Sequence, residues 1–533
     1  MSNLGMHTLY SLLNSKDEIV AERFFVSKSS LSTSTLRSVE TNHPAKDFDL
    51  LLFSISFETD YINCVKFLHK ADFEIYSTKR SANTPLVLAG GVATFINPEP
   101  LAPFVDGFLL GEFEPILDSF LEQIPFLADS AVKKEKKLQE LAQKITGFYV
   151  PSAYKVQYDK NGVYKAHIPK QENFPKRITP AKLTSQPETA PHSAILTDHA
   201  VFPNTFLIEL TRGCGMGCRF CAAGFVYRPP RAWSFTSIKN SLKKADNAPK
   251  IGLIGLEYGK RIDIEKIATL LLERNKKLGF SSLRADLITP SFAKLLKESG
   301  TKVATIAPEA GSQRMRDIIN KNLTETDILT AIERLAEQGI PNFKLYFMIG
   351  LPFETNEDVM EIAALTKKIH AVMLSYAKAR GKIGTISISL NQFIPKPWTP
   401  FQWSEFQTKK EIKHKLNQLK KSLKAIPNLK ISLPSYRKSL LQALISRGDQ
   451  KIAKLIETMA VKDLSLQQAL KQTGLNSEPY LTQRPVEMPL PWEIVNHIVK
   501  KEYLIHEWRK AARESLTKPC EIGKCMRCNA CAI

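Results

Sequence analysis

Phe206-Leu207-Ile208-Glu209-Leu210-Thr211-Arg212-Gly213-Cys214-Gly215-Met216-Gly217-Cys218-Arg219-Phe220-Cys221 joins a short apolar run to three cysteines spaced Cys-x3-Cys-x2-Cys. The run reads as a buried parallel strand. Gly213, Gly215 and Gly217 let the following loop fold tightly and bring three thiols to one point. In parallel α/β enzymes the chemistry gathers at the C-terminal ends of strands, which is where this loop falls. Arg212 and Arg219 are expected to help stabilise thiolates. Three ligands are one short of a structural zinc or a fully ligated iron–sulfur cluster, so one metal position is open to a substrate or cofactor. A zinc site completed by a distant histidine is the competing reading.

Outward from this loop, strand candidates recur at 206–210, 251–256, 281–284, 303–307, 344–349 and 385–391, with helical patterns between them. Six consecutive βα units predict a partial (β/α)6 TIM-type barrel over 204–405. Upstream, apolar runs at 49–56, 85–91 and 104–112 alternate with helix-like stretches, which predicts a Rossmann-like, doubly wound domain over 1–150. The fold class is therefore α/β. Residues 151–203 read as a hairpin turning at Asn161-Gly162, then a proline-rich linker. Residues 406–533 read as mainly helical, with Ile412, Leu416, Leu419, Leu423 and Ile426 on one stripe.

Four more cysteines close the chain: Cys520, Cys525, Cys528 and Cys531, spaced Cys-x4-Cys-x2-Cys-x2-Cys. Zinc ribbons usually split their ligands into two separated pairs, so this compact run is closer to ferredoxin-type spacing. A second 4Fe–4S cluster is the reading, with zinc as the alternative and a plain staple for the tail as the bland one. Cys64 stands alone and reads as a small buried apolar residue.

The chain has 533 residues and a net charge of +21. Between Lys409 and Lys454, 13 Lys/Arg face two acids, a net +11. An RNA substrate fits such a surplus; a solvated helix face is the common alternative. No apolar run is long enough to span a bilayer, and the start Met1-Ser2-Asn3-Leu4-Gly5 has no signal-peptide pattern. A soluble cytoplasmic protein with no membrane partner is expected.

The cysteine loop, with aromatic Phe220 before its last cysteine, resembles the radical S-adenosylmethionine (radical SAM) superfamily. So do 282–286, 306–312, 319–321, 346–352 and 393–403, in the order found in the branch that carries an N-terminal cobalamin-binding-like domain. The resemblance implies that Cys214, Cys218 and Cys221 hold a 4Fe–4S cluster whose unique iron takes S-adenosylmethionine. Reductive cleavage then yields a 5′-deoxyadenosyl radical that modifies an unactivated carbon, by methylation or methylthiolation. It further implies a ferredoxin- or flavodoxin-type one-electron reductant. Gly255 and Glu257 lie where the methionine amine is met; Ser282, Arg284, Glu309 and Ser312 are candidates for the ribose and carboxylate; Gly350 and Ile394 for the adenine edge. The branch's Asp-x-His-x-x-Gly cobalamin signature is absent from all ten histidines. Cobalamin binding thus stays open against a degenerate domain kept for packing or substrate capture, with Gly90-Gly91 as the point of ligand approach. A non-catalytic iron–sulfur electron carrier or RNA-binding protein is the rival function.

Overall fold

The computed structural model describes residues 3–26, 36–81, 83–255, 264–280, 282–378, 381 and 383–531. The chain forms two compact units. One comprises Gly5–Ser185 and Leu440–His497; the other comprises Met1–Leu4, Gln186–Ser439 and Ile498–Ile533. The stretch 406–533 is thereby divided between them.

In the first unit, β1 (Leu50–Ser54), β2 (Leu86–Gly90) and β3 (Gly107–Leu109) pair in parallel, and β4 (Phe148–Tyr149) adds antiparallel to β3. β2 is buried along Leu86–Ala89, which explains its unbroken apolar run. The strand order simply follows the chain, so among the described residues the sheet has no reversal point of the kind that opens a ligand crevice. Gly91 answers to a different constraint. Its φ is +99°, and a Cβ there would stand 2.4 Å from the Ile55 carbonyl oxygen. The glycine pair lets the chain pass its own backbone. β5 (Tyr154–Tyr158) and β6 (Tyr164–Pro169) form the predicted hairpin. Buried Glu99 accepts from Tyr149 (2.9 Å) and Gln450 (3.0 Å) and meets His167 (2.8 Å), tying the hairpin and the 440–497 segment to the sheet. Lys66–Asp463 (2.7 Å) and Tyr76–Glu457 (2.8 Å) add to that attachment.

In the second unit, β7 (Thr205–Glu209) precedes the short antiparallel pair β8 (Thr211–Arg212) and β9 (Arg231–Ala232). β10 (Lys250–Ile254) lies between β7 and β11 (Lys277–Phe280), all parallel. β12 (Val303–Glu309), β13 (Asn342–Ile349), β14 (Ile386–Gln392) and β15 (Leu429–Ser432) form a second parallel sheet. A bridge between Leu283 and Ile306 links the two sheets. Phe343, Leu345, Phe347 and Ile349 alternate into the core along β13.

Two expectations change here. Among the described residues six parallel strands lie within 204–405 as expected, and a seventh, β15, falls inside the lysine-rich stretch read as helical. The third strand lies at Lys277–Phe280 rather than 281–284, where Leu283 makes only the bridge. Thr408 and Glu411 form a capping box that starts the Lys409–Leu423 helix, whose Ile412, Leu419 and Leu423 are buried. Among the described residues, no helix is long and apolar enough to cross a membrane.

Candidate metal centre

The three-cysteine loop leaves the C-terminal end of β7 through β8. Gly213 and Gly217 take φ of +80° and +72°, so L side chains would be strained at both turns. Burial, then the neighbouring Cys218 thiol, pushes the Cys221 thiol up to about 11, against Lys321 and with Glu309 close enough to add to the rise. Burial lowers Arg284, but Asp286 and the thiols of Cys218 and Cys214 outweigh it and raise its pKa. Glu309 is raised by burial, partly offset by Lys321, which donates to it at 3.3 Å. Cys214, Cys218, Cys221, Arg284, Glu309 and Lys321 therefore share one neighbourhood.

The described candidates for the cofactor follow the ends of successive parallel strands. Gly255 follows β10, exposed Ser282 follows β11, Glu309 ends β12, Gly350 follows β13 and half-buried Ile394 follows β14. Glu309 has φ +68°, a costly conformation for a non-glycine residue. Glu257 lies outside the described residues. Ser312 is engaged elsewhere: its hydroxyl caps the Gln313–Ile318 helix at Met315 N (3.0 Å) and donates to Asp358 (2.6 Å). Gly350 donates its N–H to Glu354 (2.8 Å). Phe220 packs against the core cluster that includes Met315, Ile318, Ile319, Leu351, Phe393 and Phe401.

Both arginines flanking the loop also have carboxylate partners, and Arg219 lies within electrostatic reach of the Cys218 thiol. Arg212 pairs with Glu209 (2.8 Å) and lies over Trp233. Arg219 is fully buried; it pairs with Glu507 (3.1 Å) and donates to the carbonyls of Asp317, Ile318 and Ser515 at 3.2, 2.8 and 2.7 Å. Arg284 and Lys321 also face the thiols. Pattern alone could not assign them, since both depend on how 282–286 and 319–321 fold back on the loop.

The C-terminal tail is stitched to the same loop. Cys520 N donates to Gly215 O (2.7 Å). Asn320 Nδ2 donates to the Met216 and Gly217 carbonyls (both 3.2 Å), while its Oδ1 accepts from Thr517 N (2.8 Å). The Thr517 hydroxyl donates to Glu507 (2.8 Å), the partner of Arg219. Electrostatically, Cys520 feels burial first, then Arg228 and the other three tail cysteines. Cys525 is lowered because contacts from Arg527 outweigh its burial. The tail thiols thus neighbour one another and form a second group beside the first. No cysteine is in a disulfide.

Both groups suit iron–sulfur ligation by their chemistry, since each offers thiols alone. Among the described residues, no three His, Cys, Asp or Glu side chains converge as around a single metal ion. The three thiols of the loop are therefore not brought to one point. A cubane does not require that, because its thiolates bind different irons. The N-terminal unit presents no histidine in the cobalamin signature, and Ile55 fills the space at Gly91.

Residues 5–151 match the family model "Radical SAM proteins, N-terminal", and residues 208–366 match that of the radical SAM superfamily. This chain belongs to the radical SAM superfamily. Membership implies a 4Fe–4S cluster, S-adenosylmethionine and a one-electron reductant. An uncharacterised protein of Methanocaldococcus jannaschii is 30% identical over 81% of this chain and 84% of its own length. An uncharacterised methyltransferase of Pyrococcus horikoshii is 24% identical over 31% of this chain and 37% of its own. The tRNA-2-methylthio-N(6)-dimethylallyladenosine synthase of a Hydrogenobaculum species is 27% identical over 28% and 38%. Among solved structures, the radical SAM methyltransferase TsrM from Kitasatospora setae is 13% identical with a TM-score of 0.42, covering 64% of this chain and 62% of that one. OxsB, a cobalamin-dependent radical SAM enzyme, is 17% identical with a TM-score of 0.43, covering 68% and 49%.

Proposed function

We propose that this chain is a radical SAM enzyme that modifies an unactivated carbon by methylation or methylthiolation. The reading rests on one observation: three thiols on one glycine-rich loop face Arg284 and Lys321. When bound by Cys214, Cys218 and Cys221, a reduced 4Fe–4S cluster supplies the electron that cleaves S-adenosylmethionine to a 5′-deoxyadenosyl radical. The chain's own contribution is binding and charge. Arg284 and Lys321 offset the thiolates, and Arg284 also suits a carboxylate. Glu309 and Ser282 suit ribose hydroxyls, Gly255 and Glu257 the methionine ammonium, and Gly350 and Ile394 the adenine edge. Ser312 has the least support, its hydroxyl being committed to the helix cap and Asp358. Phe220 closes the loop's rear against the core and keeps water from it. Cys520, Cys525, Cys528 and Cys531 hold a second 4Fe–4S cluster.

The reading is tested by anaerobic reconstitution with iron and sulfide, reduction with dithionite and assay for 5′-deoxyadenosine. Release by the native chain and none by Cys218→Ala is expected; no release by the native chain under strong reductant supports the non-catalytic carrier instead. For the substrate, exposed lysines of the Lys409–Leu423 helix support RNA. Lys415 is excluded from that face: it is buried and paired with Glu354 at 2.7 Å. Substituting Lys409, Lys410, Lys413 and Lys420 by alanine should reduce the salt slope of RNA binding by about one per lysine; an unchanged slope counts against RNA.

A further inference from the structure

Arg228 has no part in the chemistry above, yet it occupies the space between the two cysteine groups. It is buried. Its Nε donates to the Gly224 carbonyl (2.7 Å) and its Nη1 to the Tyr503 hydroxyl (3.3 Å). The guanidinium lies 4.9 Å from the centre of the Phe225 ring and 5.5 Å from that of Tyr503. A Cβ on Gly217, within the first cysteine loop, would stand 3.1 Å from its Nη2. It also hydrogen-bonds Cys528, itself buried, and lies within electrostatic reach of Cys520 and Cys525.

Among the described residues, no ion pair joins Arg228 to a carboxylate. A buried guanidinium without an anion is costly, and such groups persist when paired. The rings of Phe225 and Tyr503 hold the cation in place but carry no net charge. The anions within reach are tail thiolates, and a thiol bound to metal is deprotonated outright. We propose that Arg228 is the counter-ion of a metal-bound thiolate at Cys528 and sets the reduction potential of the tail centre.

This rests on the reading of the tail as a 4Fe–4S site. Hydrogen bonds to cluster sulfurs and nearby charge set such potentials. A fixed cation favours the more negative, reduced form and so raises the potential. Removing it makes the centre harder to reduce. A charge-assisted hydrogen bond of ordinary strength corresponds to roughly tenfold in the reduced-to-oxidised ratio, or about 59 mV for one electron.

The test uses the full chain, reconstituted anaerobically, with iron and sulfide analysis and a redox titration followed by electron paramagnetic resonance. The native chain should hold about eight irons, and Cys525→Ser should remove the tail signal. Arg228→Gln should lower the tail midpoint by about that tenfold while leaving the first centre within twofold. Arg228→Lys, which keeps the charge without the planar fork, should stay within threefold of native. A native chain with about four irons, or with zinc in the tail, overturns the second-cluster reading and this inference with it. A full complement of iron with identical native and Arg228→Gln midpoints overturns the inference alone. If Arg228→Gln does not load the tail, Arg228→Lys decides: loading with a near-native midpoint supports the counter-ion role, and failure to load in a folded chain overturns it.

Discussion

Glu507→Ala is expected to loosen both the tail and the cysteine loop while sparing the N-terminal unit. Glu507 is 2% exposed and Arg219 0%, so their pair is removed from solvent screening. The carboxylate accepts from Arg219 Nε and Nη2, both at 3.1 Å, and from the Thr517 hydroxyl at 2.8 Å. Removing one partner of a buried pair costs about 3–5 kcal/mol, because the remaining charge is left uncompensated. Arg219 would keep its three carbonyl acceptors, so the fold should weaken rather than collapse. Glu507→Gln keeps an acceptor oxygen and should fall between native and alanine. Hydrogen exchange on the metal-free chain measures this directly. Protection of 501–517 and 214–221 should fall roughly a hundred- to a few-thousand-fold. Protection in 86–110 should not change. Tail protection within threefold of native, or an equal loss in both units, would falsify the argument that this pair anchors the tail to the loop.

Three further outcomes follow from other parts of the molecule. Burial lowers His497 to about 4, and its Nε2–H donates to the Phe95 carbonyl (2.7 Å), so the ring is neutral in the fold. Its depressed pKa adds stability above about pH 6.5 that is lost as pH falls toward 4, at most about 3 kcal/mol; His497→Gln should flatten that part of the N-terminal unit's pH–stability curve, and parallel curves would refute it. Gly91→Ala should destabilise the N-terminal unit by about 2–4 kcal/mol in urea unfolding, from its φ of +99° and a Cβ 2.4 Å from Ile55 O; a cost below about 1 kcal/mol would show the backbone can yield. Cys221→Ala should remove about four irons and S-adenosylmethionine cleavage while tail iron remains, and Cys528→Ala should remove tail iron first; joint loss in either variant would show that the groups do not load separately.

The parallel strands were readable because each buries a short unbroken or alternating apolar run, as in Leu86–Ala89 and Phe343–Ile349. β15 was not, since Lys430 and the lysines before it masked a four-residue edge strand as helix. The cysteine loop announced a three-ligand metal site through its spacing, and its chemistry through the resemblance carried by 282–286, 306–312, 319–321, 346–352 and 393–403. Its charge partners did not. Arg219 lies within electrostatic reach of Cys218, as its adjacency suggests, but its ion-pair partner Glu507 lies 288 positions away, a distance no local pattern encodes. Lys415 likewise belonged by sequence to a solvated run, but Glu354, from the turn after β13, and Gln407 take it inside.

The division of the chain bears on how it emerges from the ribosome. The sheet of the N-terminal unit is made early, yet Gln450 and the rest of 440–497 that complete this unit come 255 to 312 positions after Ser185. At ordinary elongation rates that interval is roughly 15–60 s. During it, Glu99 and the apolar face awaiting the Ile452–Lys462 helix remain uncovered, and the cysteine loop likewise waits for Thr517 and Cys520. Nascent chains of this protein should therefore depend on holding chaperones across most of their synthesis, and metal insertion should be a post-translational event.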